Sequence, residues 1–170
     1  MSQASKKVLW CLKKAEREMK ECAFHRGLRT VERDREIAEK HIAKAEHNLQ
    51  AAVYLDRGGF SDWSVSAFFY CIYHCFLAII GRFGYESRNQ ECTIAAIELL
   101  KEEGKIEIDD KFIAALKRTE GKEMQESSII QMREKFQYGT ETEFSKKREF
   151  DTLVEICKEI INKTKDTVHK

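Results

Sequence analysis

The 170-residue chain has no proline. Nothing in it breaks a helix interior by ring clash or by a missing backbone donor. Glycine is scarce, eight residues falling mainly between stretches of regular apolar spacing, so the glycines read as helix ends and turns. A surplus of charge is also lacking: 30 basic residues face 29 acidic ones, for a net charge of +1 and a pI of about 7.6. That excludes the broad basic footprint of many nucleic-acid-binding domains and leaves room only for local contacts to RNA. Basic residues are denser from Lys6 to Arg35, but acidic residues interleave with them, as on a solvated helix face.

No CxxC pair occurs among the six cysteines. Cys71, His74 and Cys75 cluster, yet the second ligand pair that a zinc site needs is missing, so no metal or other cofactor is expected. The cysteines are read as buried, reduced thiols. The start, "MSQASKKVLW", has neither a long apolar run nor a small-residue cleavage site, so no signal peptide is expected and the cytoplasm is the expected compartment. The most apolar stretch, "WSVSAFFYCIYHCFLAII" at 63–80, sits at the lower length limit of a membrane span. It also carries serines, tyrosines and a histidine. It is read as a buried core helix, with no membrane as partner. Strand patterns are missing too: "KIEIDD" alternates briefly but has nothing to pair with.

What is present is helical spacing. Apolar residues make up 42% of the chain and charged residues 35%, enough for one core wrapped in solvated helix faces. Val8, Leu12, Ala15, Met19 and Cys22 mark one face of a first helix, interrupted by "HRGLRT" around Gly27. Ala38, Ile42, Ala45, Leu49, Ala52 and Val53 mark a second, from about Glu32 to Arg57. Gly58 is suited to the left-handed conformation that ends helices. Asp62 is placed to cap the third helix, which is apolar all round from Val65 to Ile80 and therefore belongs at the centre of a bundle. A fourth helix ends at Gly104, with Ile94 and Ile97 on its stripe. A short helix after Asp109 turns Phe112, Ile113 and Leu116 inward. "TEGKEMQES" reads as a loop or weak helix start. Further helices cover about Ser127–Tyr138 and Glu143–Lys165, the last burying Phe150, Leu153, Val154, Cys157, Ile160 and Ile161. The expected fold class is all-α, an antiparallel up-down helical bundle over 31–170 with an N-terminal helical extension over 1–30.

Several fragments, in order, resemble the HEPN domain family. "FYCIYHCF" at 69–76 is similar to the family's "YYAMFHAA" helix, with Phe69, Tyr70 and His74 in the matching places. "AEKHIAKAEHNLQAAVYL" resembles its first long helix, "GGFSDW" the turn that follows, and "GYESRNQECT" the connection into its third helix. "MREKFQYG" resembles the late segment that carries the family's arginine. The resemblance covers about Glu32 to Lys163. "LWCLKK" with "RGLR" looks like the extension of an archaeal-type subset. It implies a helical bundle that pairs into a homodimer. Many members are metal-independent endoribonucleases that combine an arginine and a histidine, spaced R-x4-6-H, across the dimer seam. Others have lost the pair and bind RNA or protein partners, or accompany a small nucleotidyltransferase in toxin–antitoxin-like pairs.

Arg133 matches the motif arginine, but Tyr138, Gly139 and Thr140 stand where the histidine belongs. RNA cleavage through the 2′-hydroxyl needs proton transfer near neutral pH, which histidine supplies, and a cation on the phosphorane, which arginine supplies. Tyrosine, with a pKa of about 10, is a poor substitute. Arg35 and His41 form a formal R-x5-H. With eleven arginines and five histidines in the chain, chance alone gives about one such match. Six helical positions also turn the two onto different faces. His74, within the apolar helix, is read as a core histidine or as a cleft residue beside Tyr70 or Tyr73. Arg88, Asn89 and Gln90 open a helix whose amides favour an anion. The expectation is therefore a non-catalytic homodimeric module that binds RNA, a nucleotide or a protein partner through Arg133, Arg88 and Asn89. The alternatives are a divergent ribonuclease using His74 or Tyr138 beside Arg133, and a purely protein-binding scaffold. Nucleotidyl transfer onto Tyr138 by a partner enzyme is a further role that the resemblance offers, although the spacing from Arg133 differs.

Overall fold

The computed structural model describes residues 1–117, 128–144 and 147–170. "TEGKEMQES" lies outside the described residues. Within them the chain forms α1 (Gln3–Cys22), β1 (Leu28–Thr30), α2 (Arg35–Arg57), α3 (Ser61–Arg82), β2 (Tyr85–Ser87), α4 (Gln90–Glu102), α5 (Asp110–Ala115), α6 (Ile129–Tyr138) and α7 (Lys147–His169). The fold is all-α apart from the small ribbon, as the spacing predicts.

Local signals set the helix ends. Asp34 caps α2 by accepting from the Ile37 amide at 3.0 Å, so this helix begins three residues later than the apolar pattern suggests. Asp62 does not cap α3. The helix starts at Ser61, whose hydroxyl donates to the Asp56 carboxylate at 2.7 Å, and no side chain bonds its first free amides. Nor does Gly58 take the left-handed conformation between α2 and α3. Gly59 does, at φ 82°.

The α2–α3 hairpin is the heart of the bundle. Ala38, Ala45 and Ala52 recur every seven residues on α2 and are fully buried. Their small size lets α3 approach closely, and the buried Ser64 hydroxyl donates to the Ala52 carbonyl across the seam at 2.9 Å. Around α3 lie α2, α4, α6 and α7. Phe68, Ile72, Phe76 and Ile79 are buried against them. By length and composition α3 matches a membrane span, yet 72% of its most apolar window is buried inside the bundle. In α7, Phe150, Leu153, Cys157, Ile160 and Ile161 are buried as expected, and Val154 packs part-buried at the edge.

Three further expectations need correction. First, the strands exist: β1 and β2 pair antiparallel with Leu28 opposite Ser87 and Thr30 opposite Tyr85. Each is only three residues long, too short to show alternation. Second, α1 buries Ala4, Val8, Cys11 and Ala15, while Leu12 and Met19 are only half-buried and Cys22 is exposed. The buried stripe shares Val8 and Ala15 with the expected one and is turned from it by only about 30°, enough to trade Leu12 and Met19 for Ala4 and Cys11. Third, that rotation aims Cys11 at α4, where it forms a disulfide with Cys92, Cα to Cα 5.8 Å. The reading of buried, reduced thiols holds for Cys71, Cys75 and Cys157 only. The extension thus lies on its own bundle, held by the disulfide and the ribbon. Gly27 lies close beneath α1: a Cβ there would stand 2.6 Å from the Cys11 carbonyl oxygen.

Candidate functional face

Arg133 is positioned by the start of α6. Ser128 and Gln131 form a reciprocal capping box, the Ser128 hydroxyl accepting from the Gln131 amide at 3.3 Å and the Gln131 side chain from the Ser128 amide at 3.0 Å. This fixes the register that buries Ile129 and Ile130. At the other end Gln137 donates to the Ser66 hydroxyl of α3 at 3.1 Å. Between these anchors the Arg133 guanidinium lies 4.2 Å above the centre of the Phe69 ring. Such a contact stabilises by about 0.5–2 kcal/mol. Among the described residues the charge has no carboxylate partner, and Nε is buried without a hydrogen bond.

Phe69 begins a row of aromatic groups across α3. Its ring stacks on Tyr73, centroids 5.9 Å apart, and meets Tyr70 edge-on at 5.1 Å. The Tyr73 hydroxyl lies 3.3 Å from the Thr93 hydroxyl, which also bonds Ser87 and the Asn89 carbonyl at the opening of α4. Burial pushes the Tyr73 phenol above its usual range, partly offset by the Thr93 bond. His74 follows, with Nδ1 3.0 Å from Nδ1 of His41 on α2. One ring must donate and the other accept, so the pair holds together only while at least one ring is neutral. Burial lowers both pKa values, His74 to about 4, with further lowering there from His41 and Lys44.

These groups border an open face of the α2–α3 hairpin. On α3 it runs through Trp63, Ala67, Tyr70, His74 and Leu77, at four-three-four-three spacing. On α2 it runs through Ile37, His41, Lys44, Asn48, Ala51 and Leu55, again at four-three spacing. Trp63 is 61% exposed, Tyr70 47% and Ile37 43%. Beyond Leu77 the same stripe reaches Gly81, where a Cβ would meet nothing within 4 Å.

The expected site residues are therefore only partly brought together. Arg133 stacks on the buried Phe69, whose ring meets Tyr70 edge-on, while His74 lies on the face itself against His41. Tyr138 points away and is 85% exposed. Arg88 pairs with Glu86 at 3.0 Å and stacks on Phe24 at 5.1 Å. The Asn89 side chain accepts the Cys92 amide at 3.0 Å, so the α4 start is already capped. Gln90 donates to the Leu116 carbonyl at 2.8 Å. Arg35 pairs with Glu39, away from His41. Among the described residues no group of three or more His, Cys, Asp or Glu side chains is placed to hold a metal. Cys71 is buried against Cys157 of α7.

The HEPN domain matches residues 38–167, from the first long helix nearly to the end of α7. The chain belongs to the HEPN family. Among curated proteins none matches the sequence. Family membership makes this a helical module of the RNA- or nucleotide-related, often ribonuclease-like kind. The match begins after α1 and β1, so the disulfide-tied extension stands outside it. Two members of the HEPN face escape the sequence reading. In the sequence His41 is only half of a chance motif, and Phe69 only a family aromatic. The hairpin register gives the signal for His41: a turn centred at Gly58–Gly59 places residues near 41 opposite residues near 74.

Proposed function

We propose that this HEPN protein is a non-catalytic homodimer that binds single-stranded RNA through Arg133. The observation that carries the reading is the state of Arg133: a half-buried guanidinium over the Phe69 ring, with no carboxylate partner among the described residues and a buried Nε without a hydrogen bond. A phosphate oxygen pair satisfies such a group bidentately. The arginine lacks its motif histidine, since Tyr138, Gly139 and Thr140 stand at the spacings where it belongs.

The homodimer rests on the open hairpin face. Its apolar residues repeat at spacings that suit helix–helix packing, and a two-fold axis would lay the face on its own copy. Arg133 would then stand at the border of the seam.

A second reading, a divergent ribonuclease, has one observation in its favour. The His74 imidazole is neutral at pH 7 and able to accept a proton. It would act only if dimerisation brought it to the partner's arginine. The two readings separate in one assay: incubation of labelled single-stranded RNA with the protein in EDTA, scored for both binding and cutting. Salt-sensitive binding without cutting supports the proposal. Metal-independent cutting that disappears in Arg133→Ala supports the ribonuclease.

A further inference from the structure

A separate cleft of about 420 Å³ opens beside the ends of α3 and α7, a size within the usual range for small-ligand sites, about 300–1,000 Å³. Five cationic side chains line it: Arg33, Arg82, Lys105, Lys163 and Lys170. Only two carboxylates, Glu107 and Asp166, share the lining. In a chain of net charge +1, this is a local concentration of positive charge.

Part of it has a structural purpose. Arg82 Nε donates to the Val168 carbonyl at 3.3 Å, and a cation near the last turn of α7 complements the helix dipole. Lys170 lies at the same helix end. Lys105 pairs with Glu103 at 2.7 Å and Lys163 with Asp109 at 3.4 Å. Arg33 has no such account. It immediately precedes the N-terminus of α2, where the dipole disfavours a cation. Among the described residues neither Arg33 nor Lys170 has a carboxylate partner.

We propose that this cleft binds the phosphate chain of a small polyphosphate-bearing molecule. Several cations from separate elements suit a ligand with several negative charges. The Arg33 and Arg82 guanidiniums suit paired phosphate oxygens, and Thr167 adds a hydroxyl. A single carboxylate would match only one of Arg33 and Lys170, the two cations without a carboxylate or backbone partner among the described residues.

The test is calorimetric titration of the full chain with inorganic tripolyphosphate at low salt, beside Arg33→Ala/Lys170→Ala and, as a control for loss of surface charge away from both sites, Arg17→Ala. Both residues of the double variant are exposed, and circular dichroism confirms that it folds. The expected result is saturable binding by the wild type, a loss of at least about tenfold in the double variant, since hydrogen bonds to charged groups are the strong ones, and no change in Arg17→Ala. ATP, run in parallel, shows the source of the phosphates. Equal affinity means that only the phosphate chain is read; tighter binding means that a nucleoside is seated as well. Failure of the wild type to bind, or equal binding by the double variant, overturns the proposal. So does a 5′-hydroxyl RNA oligonucleotide that binds more tightly than tripolyphosphate and depends on the same two residues, because the cleft would then be an RNA track.

Discussion

Arg133 is a half-buried guanidinium, and among the described residues an aromatic quadrupole, not a carboxylate, faces it. The Phe69 ring offsets part of the desolvation, but Nε keeps an unmade hydrogen bond, and a buried unpaired donor costs about 1–3 kcal/mol. Arg133→Met keeps the packing on Phe69 and removes the charge. It should leave stability unchanged or raise it by up to about 1 kcal/mol, measured by urea unfolding, while weakening RNA binding. The histidine pair makes the opposite kind of prediction. The folded pKa of His74 is about 4, below its ordinary value of 6.5, so the unfolded chain binds protons more readily over that interval. The stability linked to this pair is present above about pH 6.5 and is lost as pH falls toward 4. His74→Gln should flatten the fall in melting temperature between pH 7 and pH 4.5. An unchanged pH profile would mean that the pair does not titrate with unfolding.

At the scale of elements, the extension is held by three means: the Cys11–Cys92 disulfide, the β1–β2 ribbon and the close approach of Gly27 to α1. The disulfide joins residues 81 positions apart, and closing a loop of that length stabilises by about 4–5 kcal/mol in chain entropy. Cys11→Ala/Cys92→Ala should lower the melting temperature and speed proteolysis of residues 1–30, while the HEPN bundle still gives a cooperative transition. Equal melting of both forms, oxidised and variant, would show that the bridge adds nothing. Helix positions are legible in the sequence because four-three spacing is local. The ribbon is not, since its strands are three residues each and 55 positions apart. The disulfide is hidden twice over. Six cysteines allow fifteen full pairings, and a stripe drawn through Leu12 instead of Cys11 turns the thiol off α4. His41 and His74 lie on separate helices, so their contact emerges only with the hairpin.

At the scale of the whole molecule, the site depends on what covers the α2–α3 face. Trp63, Tyr70 and Ile37 leave an apolar stripe in water, and such contiguous patches mark interaction surfaces. Tyr70→Glu places a charge at the centre of that stripe without touching the buried core. Light scattering should find the wild type as a dimer and this variant as a monomer with a nearly unchanged melting temperature. A wild type that stays monomeric at high concentration would remove the dimer from the account. The sequence indicates the arginine and the missing histidine, because both are single positions within one segment. It does not show that Tyr138 points away from Arg133, which follows from the turn of α6 after the Ser128 cap.

The central claim is that this HEPN face binds RNA without cutting it. The direct measurement is binding and integrity of one labelled single-stranded RNA, in EDTA, across a salt series and from pH 5 to 9, for wild type and Arg133→Ala. The account predicts intact RNA throughout and affinity that falls steeply with salt. In the variant, affinity should drop about tenfold, with a salt slope shallower by about 0.7 for each phosphate no longer neutralised. RNA cut by the wild type and spared by the variant would contradict it, as would affinity indifferent to both salt and Arg133.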